Sequence, residues 1–407
     1  MPVRLHDLTE TAFDPDAVTR VGVAVSGGSD SMATLHLLAE RYQVAAVTVD
    51  HGLRPEAAEE ARFVAAACAR LGVPHCTLRW AGPAPSGNLM DQARRARLWL
   101  IGGWARENGI THVALGHTAD DQAETFLMRL ARAAGLEGLT GMRRRFEAEG
   151  ILWHRPFLTA TRAELRAFLT ARGVDWVDDP SNENERFDRV KARNAMRALA
   201  PLGIDADKLN AVIAHLGSAE AELQIQMRRL THDHVREEGG DLVVATGGFS
   251  AEFGPELKRR LINAALVWVS GSYYAPRAAK VLDFLHSWHE RRDRTLHGCR
   301  ITATNTDIRI TREANAVAGL RVPAGQLWDR WRLEGPAETG QEIAALGAEG
   351  LRLCPNWRET GLPRASLLAS PAVWQGETLV SAPLAGHENG WKATIAAGSF
   401  SSSLLRR

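Results

Sequence analysis

The sequence contains few cysteines, few lysines and no long apolar run. Its cysteines do not form a C-x-x-C pair, which excludes a zinc ribbon or a cysteine-ligated cluster and fits a reducing compartment; they are Cys68, Cys76, Cys299 and Cys354. Because no apolar stretch is long enough to span a bilayer and the start does not resemble a signal peptide, we expect a cytoplasmic protein that does not associate with a membrane. The net charge is only +1, so any nucleic-acid contact must use local patches.

The chain has 407 residues, of which 45% are hydrophobic, enough for two or three domains. In its first half, short apolar runs alternate with amphipathic segments of helical length. The runs predicted as strands are Val21–Val25, Gln43–Val49, His75–Arg79, Thr111–Gly116 and Ile151–His154. This alternation predicts an α/β fold with a doubly wound parallel sheet, whose ligands bind at the carboxyl ends of the strands.

The most informative segment is the turn Ser26–Ser31, which follows the first predicted strand and precedes a predicted helix. Its adjacent glycines allow a tight turn, and the helix start directs free N–H groups to the same place, which suits a phosphate chain. It is not a Walker A loop, because the first lysine of the chain is Lys191. Asp30 implies a cation between carboxylate and phosphates, most simply Mg²⁺. The alternative is a glycine-rich turn with a serine cap.

Two other polar segments follow predicted strands. In His117–Thr125, Asp121 and Glu124 are three positions apart at a helix start, so both carboxylates lie on one side, with Asp120 as the expected N-cap. The pair could hold Mg²⁺ together with Asp30, bind the ammonium of an amino-acid substrate, or be merely solvated. The segment Asp50–Pro55 is either a wall of a nucleotide pocket or a plain polar turn.

The later part of the chain has weaker signals. Arg189 and Arg193 share a helix face and form either a phosphate contact or a solvated basic surface. A long helix from Ala206 to about Glu237 leads into a small mixed α/β region, and short strands and turns follow from Val322. We therefore predict three domains: 1–203, 204–321 and a β-rich 322–407. Before Arg20 we expect at most one short helix, around Asp14 to Thr19.

These motifs resemble a known family. Ser-Gly-Gly-x-Asp-Ser after a first strand is similar to the pyrophosphate loop of the N-type ATP pyrophosphatases (the PP-loop superfamily). The segment His117–Thr125 resembles the signature His-x-x-Asp-Asp-x-x-Glu-Thr of the tRNA(Ile)-lysidine synthetases, and Val49–Glu56 is close to what they carry there. The resemblance runs from about Arg20 to Pro383. It departs at Arg132–Gly135, which reads Arg-Ala-Ala-Gly where the family usually has Arg-Gly-Ser-Gly.

The resemblance implies both a reaction and a set of residues. ATP would be held by Ser26, Gly27, Gly28, Ser29, Asp30 and Ser31. Asp30 and Asp121 would hold Mg²⁺, and Asp30, Asp121 and Glu124 would be catalytic, the last two near the substrate lysine. The enzyme would adenylate the C2 oxygen of the wobble cytidine of tRNA(Ile) with a CAU anticodon. The amine of free L-lysine would then displace AMP, giving lysidine.

Contacts with tRNA would come from Arg189, Arg193 and the C-terminal domain. In that domain arginines stand beside tryptophans, at Trp357–Arg358 and Trp328–Arg332, which suits backbone contacts and base stacking. Two other functions remain open at this point. One is a tRNA thiolase of the same superfamily, which normally needs paired cysteines, and the other is a non-catalytic RNA-binding protein with a retained nucleotide loop.

Overall fold

A six-stranded sheet organises the first half of the chain. The structure is a computed structural model, and it describes residues 2–14, 18–50, 52, 57–80, 89–178, 188–249, 253–272 and 274–405. The strands of the sheet are β1 (Arg20–Ala24), β2 (Gln43–Asp50), β3 (His75–Arg79), β4 (His112–Leu115), β5 (Arg145–Ala148) and β6 (Ile151–His154). Their order is β3-β2-β1-β4-β6-β5.

The sheet is parallel except at one edge. Strand β1 lies between β2 and β4, and the pairs β1–β2, β1–β4, β2–β3 and β4–β6 are all parallel. This confirms the predicted parallel α/β sheet. Strand β5 is an addition, because it pairs antiparallel with β6 through a tight turn at Glu149 and Gly150, both with positive φ. Its four residues are too few to give a clear alternating pattern in the sequence.

Helices cover both faces of this sheet. In the described part of the first half they are α1 (Pro2–Ala12), α2 (Ser29–Ala39), α3 (Ala57–Leu71), α4 (Leu89–Glu107), α5 (Ala119–Leu130), α6 (Leu136–Leu139), α7 (Arg162–Ala171) and α8 (Asp188–Leu199). Val21 and Val23 join one core with α2 and α7, whereas Val113 and Trp153 join the opposite core with α4. The sheet is therefore doubly wound. The helix before β1 is α1, and the helix expected at 14–19 falls partly on residues 15–17, outside the described part.

The chain divides into two compact units, Met1–Glu220 and Ala221–Arg407. The long predicted helix is confirmed as α9 (Ala206–His234). The three-domain division with boundaries after residues 203 and 321 stays a prediction. Among the described residues, no helix is both long and apolar enough to cross a membrane.

The second unit is built from antiparallel sheets. The first of them has five strands in the order β7-β8-β11-β10-β9, packed against α10 (Pro255–Ser270) and α11 (Ala278–Ser287); they are β7 (Val235–Glu238), β8 (Asp241–Ala245), β9 (Arg294–Leu296), β10 (Cys299–Ala303) and β11 (Asp307–Arg312). The remainder contains helices α12 (Ala314–Val317), α13 (Gly347–Arg352), α14 (Arg364–Leu368) and α15 (Phe400–Leu405), and strands β12 (Arg321–Pro323), β13 (Trp331–Glu334), β14 (Gln341–Ala345), β15 (Pro371–Gln375), β16 (Thr378–Ser381) and β17 (Lys392–Ile395). The predicted β-rich C-terminal region is thus confirmed.

The C-terminal segment contributes to the core of the preceding sheet. Phe400 and Leu404 of α15 are buried among residues of α10 and of the five-stranded sheet. The buried carboxylate of Asp241 accepts hydrogen bonds from Thr311 at 3.0 Å and from Ser366 of α14 at 2.5 Å. Removing the residues after 321 would therefore expose apolar surface and remove the hydrogen bond from Ser366, leaving Asp241 with Thr311 and Arg309 as its partners.

The tryptophans expected to stack on RNA bases at Trp328–Arg332 are core residues, so that prediction is wrong. Trp328 and Trp331 are buried, and the guanidinium of the buried Arg330 lies 5.6 Å from the Trp331 ring centre. Trp328 and Trp331 form an isolated β-bridge with one another, and β13, which begins at Trp331, pairs with β17. These pairings turn both tryptophan side chains to the interior. At the other stretch, the exposed Arg358 lies 4.5 Å above the ring of Trp357 and remains available for contact.

Candidate active site

The predicted phosphate-binding turn lies where β1 ends and α2 begins. Gly27 has φ +91, a conformation that favours glycine, and Gly28 precedes the first turn of the helix without a side-chain cap. The hydroxyl of Ser31 accepts the backbone N–H of Ser26 at 3.1 Å and donates to the carbonyl of Gly28 at 3.0 Å. These bonds hold the turn closed, with the helix start pointing outward, as anion binding requires.

The end of β4 approaches this turn closely. A Cβ atom on Gly116 would lie 2.8 Å from the carbonyl oxygen of Asp30, so only glycine fits between the two backbones. The parallel pairing of β1 with β4 thus brings the segment that starts at His117 against the segment that starts at Ser26. The expectation that both motifs share one edge of the sheet is confirmed by this contact.

Helix α5 places two acidic side chains at this edge, but its cap differs from the prediction. Thr118, not Asp120, is the N-cap: its hydroxyl accepts the N–H of Asp121, and the Asp121 carboxylate accepts the N–H of Thr118 at 2.9 Å. Asp120 instead accepts the backbone N–H of Arg162 at 2.7 Å, joining the starts of α5 and α7. Asp121 and Glu124 are both buried.

Three arginines meet the three predicted catalytic acids. Arg162 donates from Nε to Asp30 at 2.8 Å, and its terminal nitrogens lie 3.6 Å from Asp121 and 3.8 Å from Glu124. Of the pair predicted to contact tRNA, Arg189 lies 3.6 Å from Asp121, and Arg193 donates to Glu124 Oε1 at 2.6 Å. Both arginines of α8 therefore face the acids.

The second oxygen of Glu124 has no hydrogen-bond partner among the described residues, although it is buried. An unpaired buried carboxylate oxygen is unfavourable unless a ligand arrives to satisfy it. A cationic or hydrogen-bond-donating group is the ligand that it would take. This atom is therefore a candidate partner for such a group, on the same helix as Asp121.

Arg162 and Arg166 were missed by the sequence analysis. Arg166 donates from Nε to the hydroxyl of Ser29 at 3.2 Å and from Nη2 to Asp178 at 2.7 Å. One signal could have found them: they occupy the first two turns of the helix after β6, a strand whose carboxyl end lies at the same edge. Without the fold, arginines in α7 are not distinguishable from the many arginines on solvated surfaces.

The turn, Asp121 and the arginines line one open cleft of about 840 Å³, and the buried Glu124 contacts two of the lining arginines, Arg162 and Arg193. The turn supplies hydroxyl and backbone groups, and α7 and α8 supply a row of arginines: Arg162, Arg166, Arg189, Arg193 and Arg197. Acidic groups at the start of α5 and arginines of α7 and α8 meet in this cleft, so it offers both negative and positive charge to a ligand. Such a cleft suits a ligand that carries phosphates at one end and an ammonium at the other.

Burial and ion pairing act in opposite directions on the acids. Burial raises the pKa of Asp30 and of Glu124 above their ordinary values, against the lowering effect of Arg162 and Arg193. At Asp121 burial also favours the neutral form, but Arg189 and Arg162 outweigh it and lower the pKa. The negative charge is therefore held more firmly on Asp121 than on Asp30 or Glu124.

The first residue of the second motif, His117, is a neutral component of the cleft. Burial lowers the pKa of His117 to about 3. Arg155 donates from Nε to its Nδ1 at 3.2 Å, which also opposes protonation. The ring therefore adds no positive charge beside the acids.

The predicted magnesium ligands can be tested against the geometry. No group of three or more histidine, cysteine or acidic side chains with metal-binding geometry occurs among the described residues. Asp30 and Asp121 both contact Arg162, which places the two carboxylates around one point. Magnesium is commonly bound by one or two carboxylates together with substrate phosphates, so this pair fits an ion that arrives with a nucleotide.

Some predicted residues fall outside the described part of the chain. In the segment after β2, Asp50 accepts the N–H of Gly52 at 2.9 Å, but His51 and residues 53–56 are not described. Residues 179–187, which join Asp178 to α8, are likewise not described. The nucleotide-wall interpretation of Asp50–Pro55 stays a prediction.

Comparison with known proteins supports the sequence resemblance. Residues 3–200 match a family described as a PP-loop domain. A tRNA(Ile)-lysidine synthase of Ruegeria pomeroyi is 48% identical over 401 residues, covering 97% of this chain and 96% of that protein. Another tRNA(Ile)-lysidine synthase, from a Wolbachia of Brugia malayi, is 32% identical over 333 residues, covering 79% of this chain and 77% of the length of that protein.

A solved structure gives a more distant match. The U34-tRNA thiolase from Methanococcus maripaludis aligns with 53% of this chain and 79% of its own length, at 14% identity and a TM-score of 0.46. At this level the likeness carries no argument about function. The similarity over nearly the whole length of the Ruegeria protein is the informative result.

Proposed function

This chain belongs to the tRNA(Ile)-lysidine synthase family, and on that basis we propose that it is a carbon–nitrogen ligase that converts a tRNA cytidine to lysidine. Its substrates are ATP, free L-lysine and tRNA(Ile) with a CAU anticodon. The C2 oxygen of the wobble cytidine attacks the α-phosphorus, and pyrophosphate leaves. The lysine amine then attacks C2, AMP leaves with that oxygen, and the amine loses a proton.

The loop Ser26–Ser31 and the arginines of α7 bind the phosphates of ATP. The start of α2 and the hydroxyl groups supply donors on one side, and Arg166, already bonded to Ser29, supplies charge on the other. These donors stabilise the charge that grows on pyrophosphate as it leaves. When bound, Mg²⁺ supplies further neutralisation of phosphate charge, and Asp30 with Asp121 would hold it.

The assignment of lysine as the second substrate rests on Glu124. Its unpaired Oε2 is buried, and it belongs to the same helix as Asp121, whose side chain lines the cleft. An ammonium placed there pairs with a carboxylate that otherwise lacks a partner, and Asp121 adds a second charge. The same acids can accept a proton when the amine attacks. Arg189 and Arg193 hold these acids in place and are also proposed to contact tRNA.

The alternative of a thiolase lacks the thiols it would need. Cys68, Cys299 and Cys354 are buried, and all four cysteines are unpaired. Burial raises the pKa of Cys68 to about 11 and that of Cys299 to about 12, so these thiols are poor nucleophiles. The remaining thiol, Cys76, has no second cysteine with which to form a reactive pair.

The proposal is tested by incubating the full chain with tRNA(Ile), ATP and labelled lysine and measuring the label on RNA. We expect lysine transfer that requires all three substrates and releases pyrophosphate. Transfer of sulfur instead of lysine would support the thiolase, and tRNA binding without ATP consumption would support a non-catalytic RNA-binding protein. Either result would refute the ligase.

A further inference from the structure

Arg162 occupies the centre of the acidic group. Its guanidinium touches Asp30 at 2.8 Å and lies within 4 Å of Asp121 and Glu124, so one cation is shared by three carboxylates that come from two different helices. Its side chain is 22% exposed and faces the cleft. Every cation that a substrate brings to these acids must share them with Arg162 or displace it.

We propose that Arg162 couples ATP binding to lysine binding: it blocks the acids in the empty enzyme and moves to the phosphates when ATP occupies the loop. This inference rests on the function proposed above and adds an order of binding to it, with ATP before lysine. Arg162 is thus a positioning residue, which acts through the carboxylates and not on the reacting atoms.

The charge balance around the acids explains the block. Three carboxylates, Asp30, Asp121 and Glu124, face three guanidinium groups from Arg162, Arg189 and Arg193. With this balance satisfied, an incoming ammonium gains little from the acids and is repelled by Arg162 at short range. Among the described acids of this group, Glu124 Oε2 is the buried oxygen that lacks a hydrogen-bond partner and could accept the ammonium.

The position of Arg162 explains how ATP would remove the block. Its backbone is fixed, because its N–H donates to Asp120 at 2.7 Å at the start of α7. Its side chain is long and borders the same cleft as Ser29 and Ser31, so the guanidinium can turn from the acids to a phosphate without moving the helix. Phosphate oxygens match the planar donor pattern of a guanidinium, and a triphosphate carries more charge than one carboxylate.

The test measures lysine affinity by calorimetry with and without a nucleotide. The probe is an ATP analogue with a methylene bridge between its α- and β-phosphates, supplied with Mg²⁺, because this bridge replaces the bond that the reaction breaks. In the native chain we expect the analogue to tighten lysine binding by about tenfold, within the range of ordinary coupling energies. By linkage, lysine must tighten binding of the analogue by the same factor.

The decisive variant is Arg162→Gln. We expect it to bind lysine equally well with and without the analogue, and without the analogue to bind lysine more tightly than the native chain does. Arg162→Lys retains a charge and should retain part of the coupling. The matched control is Arg172→Gln at the other end of α7, where the arginine pairs with Glu40 at 3.0 Å away from the cleft; its coupling should equal that of the native chain.

Two outcomes would overturn the inference: equal lysine affinity with and without the analogue in the native chain, or native coupling in a folded Arg162→Gln variant. The native-chain measurement decides the matter even where a variant does not fold. Failure of the proposed function is distinguishable, because it would appear as an absence of lysine transfer to tRNA(Ile) by the native chain. A chain that transfers lysine but shows no coupling refutes only the role of Arg162.

Discussion

Replacing Glu124 by glutamine tests the lysine site most directly. The change keeps the shape of the side chain and removes one charge. Oε1 accepts a hydrogen bond from Arg193 at 2.6 Å, so the glutamine oxygen keeps that position and its amide nitrogen takes the place of the unpaired Oε2. A donor then faces the substrate ammonium where an acceptor stood, and the charged hydrogen bond is lost.

The expected effect follows from the strength of such bonds. A hydrogen bond to a charged group contributes about 1.5–3 kcal/mol, which corresponds to about a 10- to 150-fold rise in the KM for lysine. Affinity for ATP should change little, because in the described part of the chain Glu124 pairs with Arg193 and Arg162 and not with the loop Ser26–Ser31. The assay is lysine transfer to tRNA(Ile) at varied lysine, with nucleotide binding measured separately.

The control for this variant is Glu137→Gln, which changes an exposed glutamate in α6 and should leave both constants unchanged. An unchanged KM for lysine in Glu124→Gln, together with a collapse of ATP affinity, would show that Glu124 serves the nucleotide. The lysine assignment would then be refuted.

Four other predictions concern separate parts of the chain. Asp30→Asn should lower lysine transfer by about two orders of magnitude with an unchanged circular dichroism spectrum, and near-native transfer would exclude its metal role. Ala133 has φ +52 where the family usually has glycine, so Ala133→Gly should stabilise the fold by about 0.5–1 kcal/mol in chemical denaturation, and a loss of stability would contradict this strain. His154 is buried, donates to the carbonyl of Ala12 and has a pKa lowered by burial from 6.5 to about 4. Because the folded state favours the neutral form of His154, its contribution to the free energy of unfolding is fully present above pH 6.5 and falls by about 3 kcal/mol as the pH drops towards 4. A His154→Gln variant should lose this part of the pH dependence. Arg358→Gln should weaken tRNA binding and reduce its salt dependence by about one ion without changing ATP affinity, whereas an unchanged salt slope would remove Arg358 from the interface.

The sequence by itself determined those features of this protein that arise within a few neighbouring residues. The glycines and serines at 26–31 specify a tight turn into a helix, and the apolar runs Val21–Val25 and Gln43–Val49 specify buried parallel strands. The position of Asp121 and Glu124 on one side of a helix start also follows from their spacing. Each of these features is set by backbone geometry over a few residues.

Tertiary structure decided which charged groups meet. Nothing near Arg162 in the sequence indicates that its side chain lies against Asp30, 132 positions earlier, because the two come together only when β6 joins the sheet beside β4. The same holds for Trp328 and Trp331, whose neighbouring arginines suggested an exposed surface although the sheets bury them. Pairing of charges and burial of aromatic rings depend on contacts between distant segments, and a pattern along the chain does not encode those distances.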